Sequence, residues 1–204
     1  MPRKSERTRQ RIIQAANRLF YRRGYNRTSF TDIVEAAGVP RGNIYYYFRT
    51  KEEILRAALA YRLEIIDTMM EEWDRNFPDP EGRLKRFVQV MVNSRETTAD
   101  FGCPMGTLNA ELAKDQRDLQ AGSRIMFEHF VDYLAMQFGD LGYNTAEAQQ
   151  LAWELLARAQ GVNMMTHVFS TPDFLLDQQQ RLNDWIDGRA VAEGGTPRVA
   201  ASQK

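Results

Sequence analysis

Residues 24–55 read GYNRTSFTDIVEAAGVPRGNIYYYFRTKEEIL, and much of their local structure can be predicted from side-chain chemistry. Ser29 is a residue type that caps helix N-termini, and Asp32 is favourable in a first turn, so a short helix is predicted to begin near Ser29. Gly38 ends this helix, and Pro40 suits the first turn of another short one. Two short helices joined by a tight turn form a helix-turn-helix motif.

Longer helices are predicted on both sides of this motif. Residues 8–23 carry apolar side chains at helical spacing on one face, and Gly24 follows as a stop signal. Thr50 and Glu53 form a capping-box pattern, after which apolar residues recur at helical spacing to about residue 74. The motif is therefore expected to lie within a helical N-terminal domain.

The second helix of the motif carries side chains that can read DNA. In a helix-turn-helix, the N-terminal residues of this helix face base edges in the major groove. Arg41 can donate two hydrogen bonds to guanine, and Asn43 can pair with adenine. Gly42 between them lets the backbone approach the DNA, and Lys51 can reach a phosphate from the next helix. These residues predict a surface for double-stranded DNA.

Three consecutive tyrosines follow, and they cannot all face the same way. Each of Tyr45, Tyr46 and Tyr47 has a hydroxyl that can donate to a phosphate, but successive helical positions are about 100° apart. Tyr45 is predicted to face the DNA backbone. Tyr46 and Tyr47 either contact DNA or pack against the first or fourth helix.

The charge distribution divides the chain into a basic and an acidic part. Residues 1–62 hold 14 Lys and Arg against 5 Asp and Glu, a net +9, whereas the rest holds 13 against 22, a net −9. This asymmetry indicates a basic module that meets a polyanion, although a merely solvated basic segment is the alternative.

The remainder of the chain predicts an all-α protein. Helices are expected near 81–95, 104–114, 116–138, 145–169 and 172–187, and no segment alternates as a strand does. No apolar run is long enough to span a membrane, and the polar interruptions near the N-terminus exclude a signal peptide. Cys103 is the single cysteine, so no internal disulfide is expected, and the expected location is the cytoplasm.

The stretch 24–55 resembles the DNA-binding signature of the tetracycline-repressor (TetR) family of bacterial transcription regulators. The resemblance is carried by five residue pairs, Gly-Tyr, Thr-Ser, Asp-Ile, Ile-Tyr and Lys-Glu, and by the triplet Ala-Gly-Val. The resemblance implies a helix-turn-helix domain over residues 1–50 and a larger helical ligand-binding and dimerisation domain over 51–188. The tail, 189–204, is expected to be disordered because it is rich in glycine and small residues.

The resemblance also implies a role for particular residues. It implies phosphate contacts from Thr28 or Ser29, Tyr45, Tyr47 and Lys51. It implies base contacts from Thr31, Arg41, Asn43 and Tyr46. It further implies a homodimer through the helices near 145–169 and 172–187, although these helices could instead cover the core of one subunit.

A small-molecule inducer is the second partner that the resemblance implies. Methionine and aromatic side chains line adaptable apolar pockets, but they also fill ordinary cores. The candidate pocket residues are Phe87, Met91, Met105, Phe127, Phe130, Tyr133, Met164 and His167.

Cys103 is a separate candidate, as a chemical sensor or as a structural residue. If Pro104 begins a helix, Cys103 is its N-cap, and the helix dipole favours the reactive thiolate. Residues 102–112 also resemble a segment of a TetR subgroup that includes repressors of N-ethylmaleimide reductase. Asp100 opposes thiolate formation, so both interpretations stay open.

No pattern for catalysis, a cofactor or a metal is present in the sequence. His129 and His167 are far apart and lack further ligands at metal-binding spacing. The predicted function is a DNA-binding transcriptional regulator, a repressor released from a palindromic operator by a ligand or by modification of Cys103. The alternatives are a nucleoid-type DNA binder without a ligand, and an all-helical enzyme with a basic appendage.

Overall fold

The computed structural model describes residues 4–190, and within that range it contains ten helices and no strand. The all-α prediction is confirmed. The helices are α1 (Lys4–Arg23), α2 (Phe30–Ala37), α3 (Arg41–Tyr47), α4 (Lys51–Asn76), α5 (Pro80–Asn93), α6 (Arg95–Phe101), α7 (Gly106–Asp115), α8 (Arg117–Asp140), α9 (Thr145–Val168) and α10 (Pro172–Asp187).

The helix-turn-helix forms as the local sequence predicts. The Ser29 hydroxyl accepts a hydrogen bond from the Asp32 N–H at 3.1 Å, and the Asp32 carboxylate accepts one from the Ser29 N–H at 2.7 Å. This reciprocal capping box begins α2. Gly38 ends the helix in the left-handed conformation, with φ of 60°. Pro40 then occupies the N-cap of α3.

Two predicted helix boundaries between residues 80 and 106 are wrong. The helix expected over 81–95 ends at Asn93, because the Ser94 hydroxyl donates to the Val90 and Met91 carbonyls and the backbone turns there. A separate short helix, α6, then lies between the two predicted helices, where no helix was expected. The helix expected from Pro104 begins at Gly106, with Met105 as its N-cap. Cys103 is therefore not an N-cap.

The described residues form two compact units. The first unit comprises the residues up to Thr68 together with Pro104–Phe127, and the second comprises Met69–Cys103 together with the residues from Glu128 onward. The first unit thus contains the helix-turn-helix and also α7. The domain division predicted at residue 50 stays a prediction.

The predicted disordered tail, 189–204, lies almost wholly outside the described residues, which end at residue 190. Among the described helices, none combines the length and the apolar character that crossing a membrane requires.

Candidate DNA-binding surface

The first turn of α3 presents the predicted base-reading side chains to solvent. Arg41, Gly42 and Asn43 are all exposed. A Cβ added at Gly42 would meet nothing within 4 Å, so the backbone there is open to a partner. Arg41 Nη2 donates to the Thr31 hydroxyl at 2.8 Å. The structure therefore brings the first turns of α2 and α3 together into one surface.

This surface is supported from below by apolar packing. Ile44 is fully buried, and Phe48, which caps the C-terminus of α3, is also buried. Ile33 and Val34 bury the inner side of α2. Because one face of α3 is anchored in this way, its other faces are directed outward.

The three tyrosines occupy different environments, as their spacing predicts. Tyr45 is 62% exposed and its ring stacks on Phe30 with centroids 5.2 Å apart. Tyr46 is 81% exposed, so it does not pack into the helices. Tyr47 is half-buried, and its ring is nearly perpendicular to that of Tyr46, with centroids 5.1 Å apart. Phe30 is a residue that the sequence pattern did not bring forward, and it orients Tyr45.

The two predicted phosphate contacts before α2 differ in exposure. Thr28 is fully buried, and its hydroxyl donates to the Gly24 carbonyl at 2.7 Å, so its side chain faces inward, away from any phosphate. Ser29 is exposed at the N-terminus of α2, where its hydroxyl also donates to Asp32. The hydrogen bonds from the Ser29 hydroxyl and amide lower the pKa of Asp32. Of this pair, only Ser29 exposes its side chain to solvent.

Lys51 begins α4 as predicted, but part of its hydrogen-bonding capacity is used within the protein. Its Nζ donates to the Tyr25 and Thr28 carbonyls, both at 3.1 Å, and lies 4.1 Å from the centre of the Tyr25 ring. An ammonium group has three N–H donors, and these two hydrogen bonds use two of them. Burial, with a smaller effect from Glu52, raises the pKa of Tyr25 to about 12.

Further arginines add positive charge to the first unit. Arg27 and Arg49 are exposed on either side of the helix-turn-helix, and the basic composition of residues 1–62 was the signal that could have brought them forward. Arg11 has a different use, because its guanidinium donates to the Ala37 and Gly38 carbonyls at the end of α2. Arg11 therefore stabilises the C-terminus of α2.

In the second unit, four of the predicted pocket residues are buried. Phe87, Met91, Phe130 and Tyr133 all lie in the interior. The Phe87 and Phe130 rings have centroids 5.4 Å apart. The Tyr133 hydroxyl donates to Asp74 at 2.9 Å, and burial together with this carboxylate raises the pKa of Tyr133.

The other predicted pocket residues do not join this interior group. Met164 is 68% exposed on α9, whereas Met105 and Phe127 are half-buried and belong to the first unit. His167 is half-buried, with Nδ1 3.0 Å from the Ala99 carbonyl oxygen. Cys103 is buried.

Asn163 on α9 is a polar residue that the sequence pattern did not indicate. It is buried, and its side-chain oxygen has no hydrogen-bond partner among the described protein atoms. Within residues 4–190, no group of three or more His, Cys, Asp or Glu side chains is arranged to hold a metal ion.

Two family models match the chain. The model of bacterial regulatory proteins of the tetR family matches residues 12–58, which span most of α1 to the first turns of α4. The model of the C-terminal domain of LmrA/YxaF-like transcriptional regulators matches residues 80–180.

Individual relatives agree with these matches. The uncharacterized HTH-type transcriptional regulator YxaF of Bacillus subtilis is 27% identical, over 84% of this chain and 92% of that protein. The probable regulator ArpR of Pseudomonas putida is 50% identical, over 44% of this chain and 43% of its own length. The crystal structure of a TetR regulator from Chloroflexus aurantiacus shares the fold, with a TM-score of 0.78 at 23% identity over 91% of this chain and 97% of that one. The chain therefore belongs to the TetR family and is a DNA-binding transcriptional regulator, not an enzyme.

Proposed function

We propose that this regulator is a repressor that binds a palindromic operator as a homodimer and leaves it when a small molecule binds in the second unit. The observation that carries the proposal is the surface formed by the first turns of α2 and α3, where Arg41, Gly42 and Asn43 are exposed above a buried Ile44. Since its target is operator DNA, we place its action in the cytoplasm.

The proposed contacts follow from exposure and chemistry. Arg41 and Asn43 read base edges, with Thr31 and Tyr46 beside them, since long donor side chains at the start of a recognition helix reach the major groove. Phosphate contacts come from the exposed or half-exposed polar groups around them, namely Ser29, Tyr45, Tyr47 and Lys51. Thr28 is left out because its side chain faces inward.

The dimer interface is proposed on α9. Its exposed face carries a stripe of apolar and small residues at helical spacing, Trp153, Ala157, Gly161, Met164 and Val168. The opposite face of α9 is buried within its own unit. A helix that is apolar on both faces needs a second partner. Leu176 extends this apolar surface onto α10, whose other exposed residues are mainly polar.

The ligand site is proposed in the interior of the second unit, around Phe87, Met91, Phe130 and Tyr133. Asn163 lies in the same unit, and its buried side-chain oxygen has no partner among the described protein atoms. We assign this acceptor to the ligand site, so the ligand expected there is a small apolar molecule with one hydrogen-bond donor. To release the operator, ligand binding must be coupled to DNA binding by about 1–3 kcal/mol or more.

Selection of operator sequences from random DNA tests the proposed function, with Arg41→Ala as the informative variant. The wild type is expected to select a palindrome with half-sites about one helical turn apart. Arg41→Ala is expected to lose preference at one base pair in each half-site and about 1–3 kcal/mol of binding free energy. Arg181→Ala is the control, because it removes an exposed arginine from α10. It is expected to change neither the base preference nor the binding free energy.

Two results would contradict this assignment. If the wild type selects no consensus sequence from random DNA, the alternative function, a nucleoid-type DNA binder, is favoured. An unchanged base preference in Arg41→Ala removes that residue from base recognition.

N-Ethylmaleimide is expected to leave operator affinity unchanged, because Cys103 is buried and lies outside a helix N-terminus. Mass spectrometry reports alkylation of this single cysteine, and fluorescence anisotropy of labelled operator reports binding. Loss of binding after alkylation of the wild type, with no loss in treated Cys103→Ser, would establish the sensor role instead.

A further inference from the structure

The turn between α1 and α2, residues 24–28, is held in an unusual way. We call it the Gly24 turn. Gly24 has φ of +83°, a conformation that favours glycine. A Cβ at this position would lie 2.8 Å and 3.1 Å from the two carboxylate oxygens of Glu111. The backbone therefore favours glycine here, and a larger residue would displace the Glu111 carboxylate.

Glu111, on α7, binds the amide side of the Gly24 turn. Its Oε2 accepts from the Tyr25 N–H at 2.9 Å, and its Oε1 accepts from the Asn26 N–H at 2.7 Å. Consecutive N–H groups after a left-handed residue form a concavity suited to an anion. Gln116, which caps α7, also donates to the Asn26 side chain at 3.1 Å. A turn of the DNA-binding domain is thus bonded to a helix about 85 positions further along the chain.

Lys51 binds the carbonyl side of the same turn. Its ammonium donates to Tyr25 and Thr28, so the turn lies between a carboxylate and a cation. Ser29 follows directly and begins α2, which carries Thr31 and, through it, the hydrogen bond to Arg41. A displacement of the Gly24 turn would therefore also displace the first turns of α2 and α3, which form the proposed DNA surface.

The start of the α7 segment is itself anchored to the first unit. Arg62 on α4 is buried, and its guanidinium donates to the Asn17 side chain of α1 and to the Pro104 carbonyl at 2.5 Å. Pro104 lies two residues before α7. Glu111 therefore projects from a helix that is tied to α1 and α4 near its N-terminus.

We propose that Glu111 is a positioning residue for operator binding. Its carboxylate holds the Gly24 turn, and through it α2, in the conformation that binds DNA. A residue far outside the helix-turn-helix thereby belongs to the DNA-binding machinery. This inference rests on the proposed DNA surface, but the contact itself can be measured without DNA.

Glu111→Gln in the full chain tests the proposal, because it keeps the side-chain size while removing the charge and one acceptor. The Tyr25 and Asn26 amides are expected to exchange their hydrogens about tenfold faster, as local opening becomes easier. The operator Kd is expected to rise about tenfold, because the binding-competent turn is less populated. The salt dependence of Kd should stay unchanged, since no phosphate contact is lost.

Two further variants sharpen the test. Glu81→Gln removes a carboxylate that pairs with Lys85 in the second unit, and it is expected to change neither exchange at the turn nor operator affinity. In Gly24→Ala the added Cβ meets the Glu111 carboxylate, so this substitution should weaken operator binding less in a Glu111→Ala background than in the wild type.

The outcomes separate the inference from the proposed function. If the Tyr25 and Asn26 amides exchange at the same rate in Glu111→Gln as in the wild type, the contact is overturned, whether or not an operator is found. An operator Kd within twofold of wild type overturns the positioning role. Faster exchange throughout the first unit, with a lower Tm, shows general stabilisation and also overturns it. A wild type that selects no DNA sequence contradicts the proposed function, while the exchange measurement still stands.

Discussion

Met164→Asp is expected to convert the protein to a monomer and to remove its specific operator binding. Met164 is 68% exposed on α9, within the apolar stripe, so the fold of the single chain should tolerate the change. At a twofold interface, a carboxylate there would be taken out of water beside its own copy, without a partner. Loss of the second recognition helix should lower operator affinity about a hundredfold or more, because both half-sites can no longer be bound together.

Light scattering after size-exclusion chromatography measures the oligomeric state, and operator binding is measured on the same samples. Met136→Asp is the matched control, since Met136 is a methionine 50% exposed on α8 and outside the proposed interface. It should remain dimeric and bind normally. A dimeric Met164→Asp protein, or a monomeric Met136→Asp protein, would move the interface away from α9.

Ile44→Ala is expected to detach the recognition helix from its support and to abolish specific DNA binding. Ile44 is the one fully buried side chain within the seven residues of α3. Replacing a buried isoleucine by alanine costs about 2–5 kcal/mol, a large share of the stability of a typical domain. A helix this short does not form without tertiary packing, so α3 should lose order before the rest of the first unit.

Urea unfolding followed by circular dichroism measures the loss of stability, and anisotropy measures operator binding. Tyr46→Ala is the control on the same helix, because this side chain is 81% exposed and its removal should leave stability unchanged. If Ile44→Ala binds the operator like the wild type, α3 does not depend on this anchor. If Tyr46→Ala unfolds early, the packing role of the two residues has been assigned the wrong way round.

The helix-turn-helix was predictable because its boundaries depend on neighbours in the chain. Ser29 and Asp32 cap α2 through each other, three positions apart, and Gly38 ends it by its own conformation. The direction of Tyr45 and Ile44 follows from helical spacing once α3 is placed. The charge asymmetry and the signature over residues 24–55 likewise required no coordinates to indicate a DNA-binding regulator.

The errors occurred where several local structures are compatible with the same residues. Pro104 is as acceptable in the turn before α7 as in its first turn, so the sequence could not exclude Cys103 as an N-cap. Ser94 can continue a helix or break it, and here its hydroxyl bonds to backbone carbonyls at the break. Thr28 and Ser29 are equivalent polar residues in the sequence, but the fold buries the first and exposes the second.

Local chemistry along the chain was therefore sufficient for the helical fold of the N-terminal segment and the outward direction of Arg41 and Asn43. The resemblance of residues 24–55 to a known family indicated the regulatory class. The tertiary packing of the helices determined which groups bind Glu111 and Lys51 at the Gly24 turn. It also determined that Thr28 is buried and that Met164 on α9 is exposed. Capping and helical periodicity act between residues a few positions apart, whereas hydrogen bonds across 85 positions form only after separate helices have packed together.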